Sequence, residues 1–271
     1  MNPKLIEEDY SGWSLVRRNT RTASIANMKP RESRKEITIY GIDLAWGNRN
    51  PDGICCLEAN HPSRTRVSLY RTHGDESLRR LVRTASTPTC LLAIDAPLIC
   101  PNSEGARPVD RETHRVFGRF KCGCYPANTT LCPRPPRVRE LFEEQGFVCS
   151  PSLPPSRKRS MIEVYPHTAI VRWFRLAERI PYKKGRREDR RSAFRQLQSL
   201  LLDYLEDNRI EIDKNSRAPL EQDWTKALED QVDALICALV GLEHWSYQGQ
   251  RSQVLGDIAS GFLVTPSPRS S

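Results

Sequence analysis

The sequence predicts an α/β protein built on a mixed five-stranded sheet, its first three strands antiparallel, with helices on the faces. Three observations carry this. Three extended runs follow one another with only turn residues between them, a fourth run is apolar almost throughout, and the later extended runs alternate with helical stretches.

Residues 1–36 mix charges with Ser and Thr without periodicity and are expected to form a tail or peripheral arm. The first strand is ITIYGIDLAWG. Asn48, Asn50, Pro51, Asp52 and Gly53 then turn the chain into ICCLEA, and His61, Pro62 and Ser63 lead into RVSLYRT, giving a meander. Asp75 is the expected N-cap of a helix through DESLRRLVRTA. CLLAIDAPL reads as a central strand covered on both faces, and Pro97 ends it by removing a ladder donor, which leaves Asp95 at its C-terminal end.

From about 101 to 160 the composition shifts to Pro, Arg and Ser, with short helices expected at ARPVDRETHRVFG and VRELFEEQG. This is an insertion after the fourth strand, without a core of its own. MIEVYPH is the fifth strand, followed by helices TAIVRWFRLAERI, SAFRQLQSLLLDYLED and TKALEDQVDALICALVGLEHW. In the last of these Leu228, Val232, Leu235, Leu239 and Leu242 form one stripe. VLGDIASGFLVTP closes the domain as an extended segment, so the domain runs over 37–266 with a short tail at 267–271.

The chain has 271 residues, long enough to bury a sizeable core in one large domain. No apolar run approaches the roughly 20 residues a membrane helix needs; the most apolar stretch, Ala234 to Leu242, is short and opens beside Asp230 and Asp233. The N-terminus lacks the apolar core and cleavage site of a secretory signal, so the expected compartment is the cytoplasm. Nine cysteines, an odd and irregularly spaced set, argue for reduced thiols over a disulfide framework. Cys122, Cys124, Cys132 and Cys149 could supply four thiolates, but CxC departs from the CxxC pairs of structural zinc sites, and zinc is not expected. Forty-two basic against 33 acidic residues leave a net charge of +9, which favours anionic partners, nucleic acid first among them.

Two acids interrupt strand-forming segments: Asp43 in GIDLAWG and Asp95 in AIDAPL. A carboxylate in or beside a central sheet costs several kcal/mol unless it is paired, hydrogen-bonded or bound to metal. Each could end its strand and cap a loop or pair with an Arg; two on candidate central strands invite the metal reading. Asp230 and Asp233, three apart, project from one side of the last helix next to its apolar stripe, either towards those strands or as a solvated edge.

The segments GIDLAWG, AIDAPL, ARPVDRETHRVFG, IEVYPHTAI, PYKK and DQVDALICALVG, in this order, resemble the domain-of-unknown-function 429 family over roughly residues 37–266. That resemblance implies a ribonuclease H-like fold related to the Holliday-junction resolvases, with a metal-dependent nuclease activity. It also implies the ligand set: Asp43 on the first strand, Asp95 on the fourth, and Asp233 with Asp230 on the last helix. Carboxylates suit hard cations such as Mg²⁺ or Mn²⁺. Two such ions about 3.5 to 4 Å apart would activate a water and stabilise the leaving oxygen of a phosphodiester displacement.

Glu163 in IEVYPH is a further ligand, a group that orients one, or a strand-edge acid paired with Lys183 or Lys184. His167 is a proton shuttle or phosphate contact, or a structural residue of the strand-to-helix turn. Arg107 and Arg111, beside Asp110, either grip phosphate or form an ordinary ion pair. Ten basic residues between Arg172 and Arg195, including Lys183 and Lys184, stand against three acids and make the best candidate phosphate-backbone surface, the alternative being a solvated face. The expected partner is thus DNA or RNA and no membrane, with a homodimer left open. Two other readings compete with a nuclease: a non-catalytic nucleic-acid-binding module on the same fold, and a phosphotransferase of the same superfamily, for which no GxxxxGK[ST] loop is present.

Overall fold

The computed structural model describes residues 36–61, 64–153 and 158–268. The tail expected over residues 1–36 lies, but for residue 36, outside them, as do residues 269–271 of the C-terminal tail. The meander forms as expected. Strand β1 (Ile37–Asp43) pairs antiparallel with β2 (Asp52–His61), and β2 antiparallel with β3 (Arg64–Thr72). Beyond it β4 (Cys90–Asp95) lies parallel to β1, and β6 (Arg159–Glu163) parallel to β4.

The sheet has seven strands, not five. β5 (Val148–Cys149) adds to the edge at β6, and β7 (Ile210–Ile212) to the edge at β3, giving the order β5-β6-β4-β1-β2-β3-β7. At two and three residues, these edge strands are too short to show a period of two. The terminal extended segment is a hairpin of β8 (Ser252–Asp257) and β9 (Gly261–Pro266), joined to the residue after β6 by a single bridge between Val164 and Val264.

Helix boundaries shift for local reasons. Helix α1 (Asp75–Arg83) is capped by Gly74 rather than Asp75, whose carboxylate instead accepts from Arg134 Nε at 2.8 Å. The insertion carries α2 (Pro108–Phe117) and α3 (Arg134–Glu143). Val109, Phe117, Cys122 and Cys124 of the insertion share a small core with Val171 and with Leu255 and Leu263 of the hairpin. Helix α4 (Pro166–Trp173) stops well short of Ile180 because Arg175 takes a left-handed φ of 49°. The freed residues form a loop over 174–186 that returns to the end of the sheet. Helix α5 (Arg187–Asp207) begins before Ser192, with Glu188 and Asp189 in its first turn, where carboxylates suit the helix dipole. A short helix, α6 (Ala218–Glu221), precedes the long α7.

Helix α7 (Lys226–Ser246), capped by the Thr225 hydroxyl, lies across β1, β2 and β4. Its residues from Val232 to His244 are all buried, so the apolar stripe is part of a helix covered on every side. Two glycines let it settle directly on the sheet: a Cβ on Gly41 would stand 2.0 Å from the Ala234 carbonyl oxygen, and one on Gly53 2.1 Å from that of Asp230. This close approach brings the acids of α7 to the strand ends. Among the described residues no helix is long and apolar enough to cross a membrane.

The packing predicts that Gly41→Ala lowers the unfolding free energy by about 3 kcal/mol through backbone overpacking. Urea denaturation followed by circular dichroism measures this, and an unchanged midpoint would show that α7 does not rest on Gly41.

Candidate active site

Parallel pairing of β1 with β4 sets Asp43 directly beside Asp95, each the last residue of its strand. The carboxyl ends of adjacent parallel strands are where open α/β sheets bind ligands. Here they border a cleft of about 230 Å³ that also takes in His167, Lys183, Trp46 and Tyr125.

Asp233 enters from α7 with its side chain fully buried. Its Oδ1 accepts a 2.5 Å hydrogen bond from the Tyr182 hydroxyl, and its Oδ2 stands 2.7 Å from Lys183 Nζ. The same ammonium is 3.9 Å from Asp95 Oδ2, so Lys183 bridges the helix acid and the strand acid. Asp230, a turn earlier, is engaged elsewhere: Lys226 Nζ lies 2.8 Å from it and Arg71 3.7 Å. Among the described residues no three His, Cys, Asp or Glu side chains converge to hold a metal ion in this arrangement. The cysteines, including Cys122, Cys124, Cys132 and Cys149, are free thiols.

The electrostatics follow from burial and crowding. Burial and then the neighbouring Asp233 push the Asp43 carboxyl well above the usual range, against the pull of Lys183. Burial raises Asp95 to about 7, opposed by Lys183 and reinforced by Asp233. Burial disfavours the Lys183 charge, yet Asp233 and the other acids around it outweigh that and hold it protonated. Tyr182, raised by burial and by Asp233, keeps its proton and donates it.

Glu163 lies behind this front and is paired with neither Lys183 nor Lys184. It accepts from Arg107 Nη1 and Nη2 at 2.9 and 2.7 Å and from the Leu98 amide at 3.0 Å. Arg107 is 2% exposed and spends its remaining donors on Asp110 and the Ile99 carbonyl. No N–H is left to grip phosphate; the pair is a buried ion pair between the insertion and β6, and Asp110 also closes the capping box of α2. Arg111 is exposed on α2, donates to the Ala106 carbonyl and does not line the cleft.

His167 forms part of the cleft wall. Its ring lies between those of Tyr165 and Tyr182, with centroids 5.5 and 5.1 Å away, and its Nδ1 has no hydrogen-bond partner. Burial, with Lys183 and Arg179 nearby, drives its basicity well below the ordinary value, so it is neutral. Lys184 is exposed at the mouth, bonded to the Tyr125 hydroxyl with its Nζ 4.6 Å from that ring's centroid.

The basic run between Arg172 and Arg195 divides. Arg179, Lys183 and Lys184 line the cleft, whereas Arg172 stacks on Phe117, Arg190 on Trp224, and Arg195 pairs with Asp223. Tyr182, Trp46 and Tyr125 were not singled out in the sequence. The first two had a signal, Tyr182 beside Lys183 in PYKK and Trp46 three residues after Asp43 in GIDLAWG. Nothing local marks Tyr125.

The model of a family described as protein of unknown function (DUF429) matches residues 41–259, the span that carries every residue of the cleft. The chain belongs to this DUF429 family. No curated protein and no solved structure matches it. The matched span falls within the 37–266 over which the motifs showed the resemblance, while the chemistry rests on the geometry of the DUF429 cleft itself.

That geometry has a pH signature. A carboxyl raised to about 7 in the folded state and titrating near 3.9 when unfolded means the folded state holds the extra proton between those values. Stability contributed by that proton is present at low pH and lost as pH rises through about 7. Asp95→Asn is therefore expected to stabilise the metal-free protein at pH 8 by on the order of 2 kcal/mol, and by much less at pH 4.5. Urea midpoints at the two pH values measure this; an equal effect at both would contradict the raised Asp95.

Proposed function

We propose that this protein is a divalent-metal-dependent nuclease on a ribonuclease H-like scaffold, hydrolysing phosphodiester bonds of nucleic acid. The observation that carries the reading is the register of β1 and β4, which sets Asp43 and Asp95 side by side at the mouth of a basic, aromatic cleft. The central strand order β3-β2-β1-β4-β6, antiparallel through the first three and parallel afterwards, supports the scaffold. So does the position of the remaining acids on the last long helix.

The donor set fits a hard cation. Asp43 and Asp95 are carboxylates whose proton affinity is raised first by burial and then by the crowding of Asp233, against the pull of Lys183, and a cation beside them would offset both. Asp43 and Asp95 would hold the ion, joined by Asp233 where Lys183 gives way. Asp230, held by Lys226 and Arg71, is the least available of the four. Bound there, Mg²⁺ or Mn²⁺ would supply Lewis-acid activation of water and charge stabilisation for the leaving oxygen. The chain's own residues do the rest: Arg179 and Lys184 attract and hold phosphate at the mouth, and neutral His167, its Nδ1 unpaired, offers a hydrogen-bonding nitrogen in the wall. Lys183 keeps the acids together before the ion arrives.

That last role also favours a second reading, a non-catalytic nucleic-acid-binding module in which Lys183 and Tyr182 permanently satisfy Asp233. Cleavage decides between them. Asp43→Asn is expected to abolish Mn²⁺- or Mg²⁺-dependent cleavage of labelled single-stranded, duplex and hybrid substrates by at least 100-fold, comparable to losing a group that acts in the transition state, with the circular dichroism spectrum unchanged. Undiminished cleavage by that variant would exclude this site, and no cleavage by the parent protein would favour the binding module.

A further inference from the structure

Six large hydrophobic side chains are exposed among the described residues: Trp46, Tyr125, Leu131, Val148, Val254 and Ile258. The two aromatic ones both stand at the cleft, 36% and 51% exposed. No aromatic pair among the described residues includes either ring, so they are not packed as core aromatics are. Trp46 follows β1 three residues beyond Asp43, while Tyr125 comes from the insertion, so separate segments bring them to one place.

Both rings also line an adjoining hollow of about 50 Å³, and Asp95 borders the two cavities. A chain running from one cavity to the other therefore passes Asp95 with an aromatic surface along its path. Cations accompany the rings: Lys184 holds the Tyr125 hydroxyl, and Arg179 lines the same cleft. Exposed aromatic faces together with basic side chains are what unstacked bases and their phosphates bind. In a duplex the bases are stacked on one another and paired inwards, so a backbone entering the cleft would offer Trp46 and Tyr125 nothing to stack on.

We infer that the substrate is single-stranded nucleic acid, with bases on either side of the phosphate at Asp95 stacked on Trp46 and Tyr125. This rests on the nuclease reading for what happens at that phosphate, but binding tests it separately. The cleft selects strands whose bases are already free, such as single-stranded tails, gaps and loops.

Fluorescence anisotropy with the full chain in EDTA, using a fluorescein-labelled 20-nucleotide strand and the same strand annealed to its complement, tests the inference. The single strand is expected to bind at least tenfold tighter than the duplex. Trp46→Ala and Tyr125→Ala should each weaken single-strand binding about tenfold, within the range found for loss of one stacked base, and leave duplex binding unchanged. Trp46→Phe, which keeps a ring, should restore most of the loss; a merely structural Trp46 would affect both substrates alike. Equal or tighter duplex binding, or alanine variants that bind the single strand as the parent does, would overturn the inference. Cleavage that depends on Asp43 yet proceeds equally on duplex would leave the nuclease reading standing without it. Ring-dependent single-strand binding with cleavage unaffected by Asp43→Asn would do the reverse.

Discussion

The parallel register of β1 and β4 places two carboxylates on adjacent strand ends, and most of what surrounds them answers that constraint. Adjacent strands lie about 4.8 Å apart, a separation at which two like charges repel by several kcal/mol in a partly buried environment. Asp233, brought down by α7, adds a third acid to the same place. The response is Lys183, whose ammonium reaches Asp233 and Asp95 from a loop that exists because α4 ends at Trp173. Tyr182, its neighbour in the chain, satisfies the other oxygen of Asp233.

The five acids considered as candidates thus fall into separate environments. Asp43 and Asp95 are half-buried, face the cleft and hold protons unusually well. Asp233 is dry and wholly engaged, and Asp230 serves as an anchor for Lys226 and Arg71. Glu163 belongs to a buried pair with Arg107 that fastens the insertion onto the sheet. Breaking that pair by removing one partner would strand a buried charge, at a cost of about 3 to 5 kcal/mol. The insertion in turn delivers Tyr125 to the cleft, so Arg107 and Glu163 serve the site by holding its wall.

The elements that carried a strong period were legible from sequence. The meander, the apolar β4 and the long α7 announce themselves, and with them the strand-end position of Asp95 and the side of α7 on which Asp230 and Asp233 lie; Asp43 read as lying inside a strand that in fact ends on it. What escaped was set by tertiary contact. β5 and β7 are formed by edges already present, Arg175 in a left-handed conformation ends α4 where the apolar pattern continues, and Asp75 leaves its helix cap for Arg134. The roles of charged residues were the least legible. Arg107 and Lys183 look alike as basic residues near acids, but one spends every donor within the protein while the other stands at the cleft. Only burial and distance separate them.

If Lys183 stands in for a cation, competition between the two follows directly. Isothermal titration calorimetry of Mn²⁺ into the parent protein, Asp95→Asn and Lys183→Met measures it. The account predicts saturable binding to the parent, loss of that binding in Asp95→Asn, and binding at least tenfold tighter in Lys183→Met, where the ammonium no longer competes. No Mn²⁺ binding in the parent, or unchanged affinity in Lys183→Met, would contradict it.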